Sequence, residues 1–202
     1  MAEKTLTYKM ENSLRIIVRP YDKLSPSQRR ALAQFRHEIF VNQLSWQLNE
    51  ARAGLEMDQY DTHHATYVLA YSLDGELCGC ARLISTIHRT MLAEQFKELL
   101  GSTPMPQARG VWELSRLAIR ATSVGPATDW PIKAILRVIV SYTLKQGGRQ
   151  LVGVMFLSME RLLRRIGVLT HRIAGSRTLD GKKAVACQMD LGSQTQLALG
   201  LR

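Results

Sequence analysis

A predicted β-hairpin near the middle of the chain constrains the fold most. Residues 66–73 have the pattern of a strand that places Tyr67, Leu69 and Tyr71 on one side. Asp74-Gly75 is a typical tight turn, and residues 77–86 form the return strand. The hairpin therefore predicts an antiparallel strand pair within the sheet.

Strands and helices are interleaved along the rest of the chain. Further strands are predicted over residues 14–18, 111–119, 151–157, 168–174 and 183–190, and helices over residues 26–42, 91–100, 126–145 and 159–166. Ser25 and Ser158 are predicted N-caps, Pro26 a first helical residue, and Gly147-Gly148 a helix stop. This order predicts an α/β fold, a three-layer αβα sandwich around a mixed central sheet.

Length and composition indicate a single soluble domain. The 202 residues are enough for one well-buried core, so we expect one domain over residues 1–202. No apolar run reaches the roughly 20 residues needed to span a bilayer, and residues 1–14 lack the apolar core of a signal peptide. We therefore expect a cytoplasmic protein without stable membrane association. The three cysteines are an odd number and are expected to be buried rather than disulfide-bonded.

The charge favours an acidic partner, and by itself it fits nucleic acid, anionic lipid and an acidic protein equally. The net charge is +10, from 27 Lys and Arg against 17 Asp and Glu. A basic set lies in the last third of the chain: Arg161, Arg164, Arg165, Arg172, Lys182 and Lys183. It is either a solvated face or a docking surface for an acidic macromolecule. The three tryptophans have little basic flanking, which argues against a nucleic-acid-binding module.

A segment after the first helix combines an aromatic residue with carboxylates. Residues 46–61 lack helical or strand periodicity and contain Trp46, Glu56, Asp58 and Asp61. An aromatic face beside several carboxylates suits an ammonium or sulfonium ligand, through Coulomb attraction and cation–π contact. The alternative is a solvated acidic loop.

Two predicted strands carry charged residues among apolar ones. Arg82 is expected to pair with the carboxylates of the preceding loop, because an unpaired buried arginine is unfavourable. Glu113 is a general-base candidate, since burial perturbs a carboxyl pKa; the alternative is a buried glutamate paired with an arginine. If its strand is regular, Glu113 and Ser115 share one face and Trp112 and Arg116 the other.

Several common site motifs are absent from the sequence. It contains no phosphate-binding P-loop, no dinucleotide-binding glycine fingerprint and no Gly-x-Ser-x-Gly nucleophile motif. Cys78-Gly-Cys80 has no second ligand pair, and His63-His64 lacks the spacing of a zinc-binding helix. We therefore expect neither a metal nor a cofactor.

Four short motifs together resemble those of a known family. They are Arg36-His-x-x-Phe40, Asp58-Gln-Tyr-Asp61, Gly79-Cys-Ala-Arg82-Leu and Trp112-Glu113-Leu-Ser-Arg116, accompanied by Trp46, Glu56 and Phe96. In order and spacing this set resembles the LuxI-type acyl-homoserine lactone synthases of bacterial quorum sensing. The resemblance covers residues 36–119 and continues more weakly to Gly167. It implies a fold similar to the GNAT N-acyltransferases.

The resemblance also implies a reaction and a distribution of roles. S-adenosylmethionine, a substrate rather than a cofactor, is acylated by an acyl-acyl carrier protein and then lactonised, with release of methylthioadenosine. Arg36, Phe40 and Trp46 would form a lid over adenosylmethionine, and Glu56, Asp58 and Asp61 would lie on its cationic side. Arg82 and Arg116 would tie these acids together or bind the substrate carboxylate. The catalytic residues implied are Glu113, as a base acting through a water, with Arg116, Asp58 and Arg82. Backbone N–H groups of a bulged strand near Arg116 would stabilise the oxyanion.

The acyl donor has its own expected contacts. Acyl carrier proteins are strongly acidic, so the expected docking surface is Arg161, Arg164, Arg165, Lys182 and Lys183. The expected acyl pocket consists of Ile139, Gly153, Met155 and Leu157. Family members that prefer 3-oxo chains often have threonine at the position of Gly153, so its glycine favours an unsubstituted or 3-hydroxy chain.

An N-acyltransferase of the GNAT type that uses acyl-coenzyme A is the alternative. Such enzymes carry a glycine-rich pyrophosphate loop after the central strand, whereas residues 115–125 contain one glycine. The sequence leaves open the acyl chain length, the substituent at its 3-position, the donor and the oligomeric state.

Overall fold

A computed structural model describes residues 6–9, 14–46, 51, 53–120, 129–179 and 181–201. Nine strands lie within these ranges: β1 (Leu6–Lys9), β2 (Arg15–Pro20), β3 (Ala65–Tyr71), β4 (Leu77–Ser85), β5 (Val111–Ile119), β6 (Gln150–Phe156), β7 (Thr170–Arg172), β8 (Arg177–Leu179) and β9 (Lys182–Asp190). The α-helices are α1 (Pro26–Arg36), α2 (Met91–Glu94), α3 (Trp130–Lys145), α4 (Leu157–Arg165) and α5 (Ser193–Ala198). In these ranges, no helix combines the length and apolar character needed to traverse a bilayer.

The described strands form a mixed sheet. Hydrogen bonding orders them β1-β2-β3-β4-β5-β6-β9-β7, and β8 also pairs with β9. The pair β5–β6 is parallel, whereas β1–β2, β2–β3, β6–β9, β7–β9 and β8–β9 are antiparallel. Helices flank the sheet, which confirms the predicted α/β sandwich class. The predicted hairpin is also confirmed: β3 and β4 are joined by a turn in which Gly75 has φ +84°.

The chain divides into two compact units. The first contains Met1–Arg82 and Arg116–Val138, and the second contains Leu83–Ser115 and Ile139–Arg202. Strands β4 and β5 each contribute residues to both units. The expectation of a single domain over residues 1–202 stays a prediction.

In the first unit, α1 begins where the sequence predicts. The hydroxyl of Ser25 accepts a hydrogen bond from the Gln28 amide at 3.2 Å, and the Gln28 side chain accepts one from the Ser25 amide at 3.0 Å. This capping box, followed by Pro26, satisfies amides that the first helical turn leaves unpaired. The apolar residues Leu32 and Phe35 are buried, so one face of α1 packs against the hydrophobic core.

The prediction of one regular helix through residue 42 is wrong in its second half. Beyond Arg36 the backbone continues as a π-helix over His37–Gln43. The Leu44 amide donates to the Ile39 carbonyl, five residues back, at 3.0 Å. Because a π-helical turn accommodates an extra residue, it re-aims the side chains that follow it.

In the second unit, β6 is the parallel partner of β5. The register pairs Val111 with Gln150 and Glu113 with Val152. Helix α3 ends as predicted, with Gly147 at φ +79° and the Gly148 amide donating to the Thr143 carbonyl at 2.8 Å. The predicted start of α3 at residues 126–128 lies outside the described residues.

Three boundary predictions in the second unit are wrong. The predicted helix 91–100 is two short pieces, α2 and a 3₁₀ turn over Lys97–Leu100, because Phe96 between them has non-helical backbone angles. Helix α4 starts at Leu157 with Phe156 as its N-cap, so Ser158 is inside the helix and Leu157 is not in the strand. The predicted strand 168–174 is reduced to β7. Strands β1 and β8 and helix α5 were not predicted.

Candidate active site

The centre of the first unit contains a buried cluster of three arginines and three carboxylates. Arg36, only 1% exposed at the end of α1, donates to both oxygens of Glu56, including a 2.8 Å bond from Nη2 to Oε1. Its Nη1 lies 2.8 Å from Oδ2 of Asp61. The planar guanidinium of an arginine has five N–H donors, so it can bind several carboxylates at once in a fixed geometry that a lysine ammonium does not offer.

Arg82 is the second arginine of the cluster. Its Nη1 lies 2.5 Å from Oδ1 of Asp58 and 2.9 Å from Oδ1 of Asp61. Strand β4 is buried along its whole length, so this guanidinium has no access to water. The predicted pairing of Arg82 with the loop carboxylates is confirmed.

Arg116 on β5 completes the cluster. Its Nη2 lies 2.8 Å from Oε1 of Glu56 and 2.9 Å from Oδ2 of Asp58. Three arginines therefore neutralise three carboxylates in a volume from which water is excluded. Charges buried in this way are tolerated because each is paired and hydrogen-bonded.

Tyr67 joins the cluster, although no sequence motif pointed to it. Its hydroxyl donates to Oδ1 of Asp61 at 2.5 Å and accepts from Nη1 of Arg36 at the same distance. The strand pattern gave no signal for this role, since tyrosine at an apolar strand position is usually a core residue. Burial raises the pKa of Tyr67 well above its ordinary value, so the phenol remains a donor.

The cluster keeps the carboxylates of Glu56 and Asp61 ionised. Burial by itself would raise the pKa of Asp61, but attraction to Arg36 and Arg82 outweighs burial and lowers that pKa to about 2. For Glu56 burial is likewise outweighed, by Arg36 and Arg116, and its pKa is lowered. At neutral pH these groups are therefore charged.

The alternative of a solvated acidic loop is wrong, since Glu56, Asp58 and Asp61 are all buried. The carboxylates are also not free anions facing an open cavity, because each forms ion pairs with arginines. Their implied direct contact with the cationic end of a ligand stays a prediction. In the structure they fix three guanidinium groups.

Two aromatic rings cover the cluster. Phe40, within the π-helix, and Trp46 are stacked, with ring centroids 4.9 Å apart and an interplanar angle of 23°. The Arg116 guanidinium carbon lies 5.4 Å from the Phe40 centroid and 6.0 Å from that of Trp46. The Trp46 amide donates to the Phe40 carbonyl at 2.9 Å, which links the two residues through the backbone as well. The structure thus brings together Arg36, Phe40 and Trp46 of the predicted lid.

Strand β5 is irregular at Arg116, which has φ +53°. Burial along the strand occurs at Glu113, Arg116 and Ala118, so the two-residue alternation shifts phase between Glu113 and Arg116. A left-handed residue in a strand produces such a bulge. The faces expected for a regular strand therefore do not apply, and the phase shift at Arg116 agrees with the bulge expected near this residue. Stabilisation of an oxyanion by its amides stays a prediction.

Glu113 lies in the second unit and binds backbone amides. Its side chain is 1% exposed. One oxygen accepts from the Met91 amide at 3.2 Å and the other from the Leu92 amide at 2.7 Å. The carboxylate therefore satisfies unpaired donors at the start of α2. Its implied role as a base stays a prediction.

The four expected acyl-pocket residues lie in the second unit. Ile139 and Gly153 are buried, and Met155 and Leu157 are half-buried. A Cβ on Gly153 would lie 2.4 Å from the Leu114 carbonyl oxygen, so β6 passes close to the backbone of β5 here. Alternate positions of β6, Val152 and Val154, point the other way, into an apolar cluster with Leu92, Leu99, Leu100 and Phe96.

The expected docking surface is also in the second unit. Its five members, Arg161, Arg164, Arg165, Lys182 and Lys183, are all exposed. The Lys182 Nζ lies 5.6 Å from the ring centroid of Phe156, the N-cap of α4, and this contact connects the start of β9 to the start of α4. Two members of the basic set pair with buried Glu160: Arg172 through two bonds of 2.7 Å, and Arg164 at 3.9 Å.

Other features lie apart from these residues. A depression of about 650 Å³ in the second unit is lined partly by Arg149, His171 and Asp190, and none of the predicted site residues line it. Across the described ranges, no three His, Cys, Asp or Glu side chains are grouped to hold a metal ion. The prediction of buried free cysteines is confirmed, and burial raises the pKa of Cys80 to about 12.

Comparison with known proteins places this site in a wider context. Residues 21–199 match the family model described as autoinducer synthase. The chain belongs to the autoinducer synthase family. It is 44% identical over 175 residues to an acyl-homoserine-lactone synthase of Ralstonia nicotianae, covering 85% of this chain and 86% of that protein. It is 36% identical over 163 residues to an acyl-homoserine-lactone synthase of Acinetobacter nosocomialis, covering 78% and 88%.

Solved structures with the same fold include two acyl-homoserine lactone synthases, LasI and MesI, and the protein TofI. TofI, in a ternary complex with an inhibitor and MTA, superposes with a TM-score of 0.83 at 40% identity, covering 93% of this chain and 97% of TofI. The synthase LasI superposes with a TM-score of 0.85 at 26% identity, covering 92% and 94%. MesI, a CoA-dependent acyl-homoserine lactone synthase, gives 0.76 at 25% identity, covering 92% and 95%. The protein is an acyl-homoserine-lactone synthase and hence an acyltransferase.

Proposed function

We propose that the protein makes an N-acyl-homoserine lactone from S-adenosylmethionine and an acyl-acyl carrier protein, with release of methylthioadenosine. The observation that carries the proposal is the stacked pair Phe40 and Trp46 over the guanidinium of Arg116. An aromatic wall above ionised groups suits both the adenine and the sulfonium of adenosylmethionine. The MTA bound to TofI, which we take to be methylthioadenosine, supports this choice.

The buried cluster positions groups for this substrate. Glu56 and Asp58 hold Arg116 with bonds of 2.8 and 2.9 Å, which leaves its outer face against Phe40 and Trp46. A guanidinium fixed in this way is suited to bind the substrate carboxylate without reorganising. Arg36 and Arg82 hold the remaining carboxylate oxygens, so the cluster acts as a rigid floor.

The first chemical step is N-acylation. A free α-amine has a pKa of about 8, so it must lose its proton before it attacks the thioester carbonyl. Glu113 accepts that proton through a water, and the amine nitrogen forms a bond to the carbonyl carbon. The tetrahedral oxyanion receives hydrogen bonds from backbone amides at the bulge of β5. Collapse breaks the carbon–sulfur bond, and the surplus proton on the nitrogen passes to the departing sulfur, so the products are the amide and the carrier thiol.

The second step is lactonisation. A carboxylate oxygen of the substrate forms a bond to its own γ-carbon, while the bond between that carbon and the sulfonium sulfur breaks. The electron pair leaves on the sulfur of methylthioadenosine, so no external co-reactant is needed. Because a sulfonium is already a good leaving group, the protein contributes mainly positioning.

An acyl carrier protein is the proposed donor because of charge. The exposed residues Arg161, Arg164, Arg165, Lys182 and Lys183 present positive charge toward an acidic partner. The apolar residues proposed for the chain are Ile139, Met155 and Leu157, and the glycine at position 153, where 3-oxo-preferring family members often have threonine, favours an unsubstituted or 3-hydroxy chain. We further propose that the reaction occurs in the cytoplasm.

A donor panel tests the proposal. The protein is incubated with adenosylmethionine and either acyl-carrier proteins or acyl-coenzymes A of several chain lengths, and products are identified by mass spectrometry. Acyl-carrier proteins should give the higher kcat/KM, and increasing salt should weaken this preference. A preference for acyl-coenzyme A, as in MesI, would refute the donor assignment while leaving the synthase activity intact.

A further inference from the structure

An ion pair fixes the π-helical segment from outside the buried cluster. Arg120, directly after β5, donates from Nη2 to the Glu38 carboxylate in the π-helix His37–Gln43. The guanidinium carbon of Arg120 also lies 5.4 Å from the ring centroid of Phe35 on α1. The Arg120 amide donates to the Cys78 carbonyl at 2.8 Å, so its backbone is held by β4. The pair therefore joins the π-helix to a fixed point of the sheet.

The segment that this pair holds carries the aromatic cover. Phe40 is two residues beyond Glu38, and Trp46 is bonded to the Phe40 carbonyl. Glu38 also accepts from the Gln43 side chain at 3.3 Å, which closes the π-helical turn on itself. Because π-helices are rare and need support, their conformation depends on such tertiary contacts.

We infer that Glu38 and Arg120 are positioning residues that hold the π-helix so that Phe40 and Trp46 lie over Arg116. Neither residue has a contact with Glu56, Asp58 or Asp61 among the ion pairs described. We place their effect on the substrate site in the contact with Phe35 and in the backbone between Arg36 and Trp46. The inference rests on the proposed binding of adenosylmethionine beneath these rings.

The expected effect is moderate because the pair is partly exposed. The Glu38 side chain is 41% exposed and that of Arg120 is 24% exposed. Such pairs are screened by water and salt, so their loss should weaken adenosylmethionine binding about two- to fivefold, with kcat unchanged. The variants are Glu38→Gln, Arg120→Gln and the charge-reversed double variant Glu38→Arg/Arg120→Glu.

Asp22→Asn is the matched control. Asp22 is also 41% exposed and forms a surface ion pair, with its neighbour Lys23. Two measurements are made on every variant: the dissociation constant for adenosylmethionine by calorimetry, and hydrogen exchange of amides 37–46. The single variants should bind more weakly and exchange faster, whereas the double variant should recover part of both.

The two measurements separate the inference from the proposed function. Unchanged exchange in Glu38→Gln and Arg120→Gln overturns the inference, and so does faster exchange with unchanged affinity, since the pair would then only stabilise the helix. If the unaltered protein does not bind adenosylmethionine, the proposed function fails. Exchange of residues 37–46 alone then decides whether the pair holds the segment.

Discussion

The guanidinium of Arg116 lies between Glu56 and Phe40. Its Nη2 is 2.8 Å from Oε1 of Glu56, and its central carbon is 5.4 Å from the Phe40 ring centroid. One arginine thus connects the buried ion cluster to the aromatic cover. The backbone of Arg116, at φ +53°, lets its side chain point toward Glu56 and Phe40. In a regular strand, side chains alternate between the two faces, and that of Arg116 would have a different orientation.

Replacing Trp46 should weaken substrate binding. Trp46→Leu removes the ring 6.0 Å from the Arg116 guanidinium and its stacking on Phe40. Because aromatic and cation–π contacts contribute about 0.5–2 kcal/mol, the dissociation constant for adenosylmethionine should rise about three- to thirtyfold, as measured by calorimetry. Tyr71→Leu is the control, since Tyr71 makes a similar contact with Arg15 at 4.9 Å. Equal effects of the two substitutions would contradict this role of Trp46.

The ion cluster should make stability depend on acid pH. Asp61 has a pKa of about 2 in the folded protein, against about 3.9 unfolded, so its contribution is present above pH 4 and is lost as the pH falls through 2. That contribution is about 2–3 kcal/mol at neutral pH. The difference in the free energy of unfolding between the protein and Asp61→Asn should therefore shrink by about 1 kcal/mol from pH 6 to pH 3.

Urea unfolding at several pH values measures this difference. Asp74→Asn is the surface control, because Asp74 lies in the exposed hairpin turn and outside the ion cluster. A difference that stays constant down to pH 3 would show that Asp61 does not carry the stabilising charge.

Gly153 should not tolerate a side chain at its present backbone position. In Gly153→Ala the new methyl group would lie 2.4 Å from the Leu114 carbonyl oxygen, so β5 and β6 must move apart. Overpacking of this kind lowers the free energy of unfolding by about 1–3 kcal/mol, which urea denaturation measures. Gly175→Ala is the control, since its methyl group would meet nothing within 4 Å. If the two substitutions change the free energy of unfolding equally, the close approach of β6 to the β5 backbone at Gly153 is contradicted.

Glu113 is expected to have two separable roles. In Glu113→Gln an amide nitrogen replaces one oxygen that accepts from Met91 or Leu92, so stability should fall by about 1–3 kcal/mol. Loss of the proposed base should lower kcat about 100-fold when the variant is fully folded. Glu98→Gln, at an exposed position on the following turn, is the control. An unchanged kcat with reduced stability would leave Glu113 as a helix-capping residue only.

The pairing of charges was predictable, whereas their geometry was not. Arg82 in an apolar strand requires a carboxylate partner, and the carboxylates of the preceding irregular segment, Asp58 and Asp61, were the expected partners. Tyr67 was missed because a tyrosine on a buried strand gives the same pattern whether or not its hydroxyl bonds an ion. The phase shift at Arg116 depends on one backbone angle, which the apolar pattern does not encode.

Helix predictions failed where contacts with residues distant in the sequence determine the type or the boundaries of the helix. Residues 37–43 have helical periodicity, but one turn is too short for the pattern to distinguish an α-helix from a π-helix. The start of α2 is capped by Glu113, which is more than twenty residues away in the sequence, and its end is set by the non-helical backbone of Phe96. The hairpin, the Ser25 N-cap of α1 and the end of α3 were predicted correctly because each is encoded by adjacent residues.

The stoichiometry of the products tests the central claim most directly. With adenosylmethionine and an acyl-carrier protein supplied together, methylthioadenosine and acyl-homoserine lactone are quantified by mass spectrometry over one time course. The proposed two-step reaction requires one methylthioadenosine for each lactone, and neither product when either substrate is omitted. Methylthioadenosine formed without lactone, or lactone formed without methylthioadenosine, would contradict it.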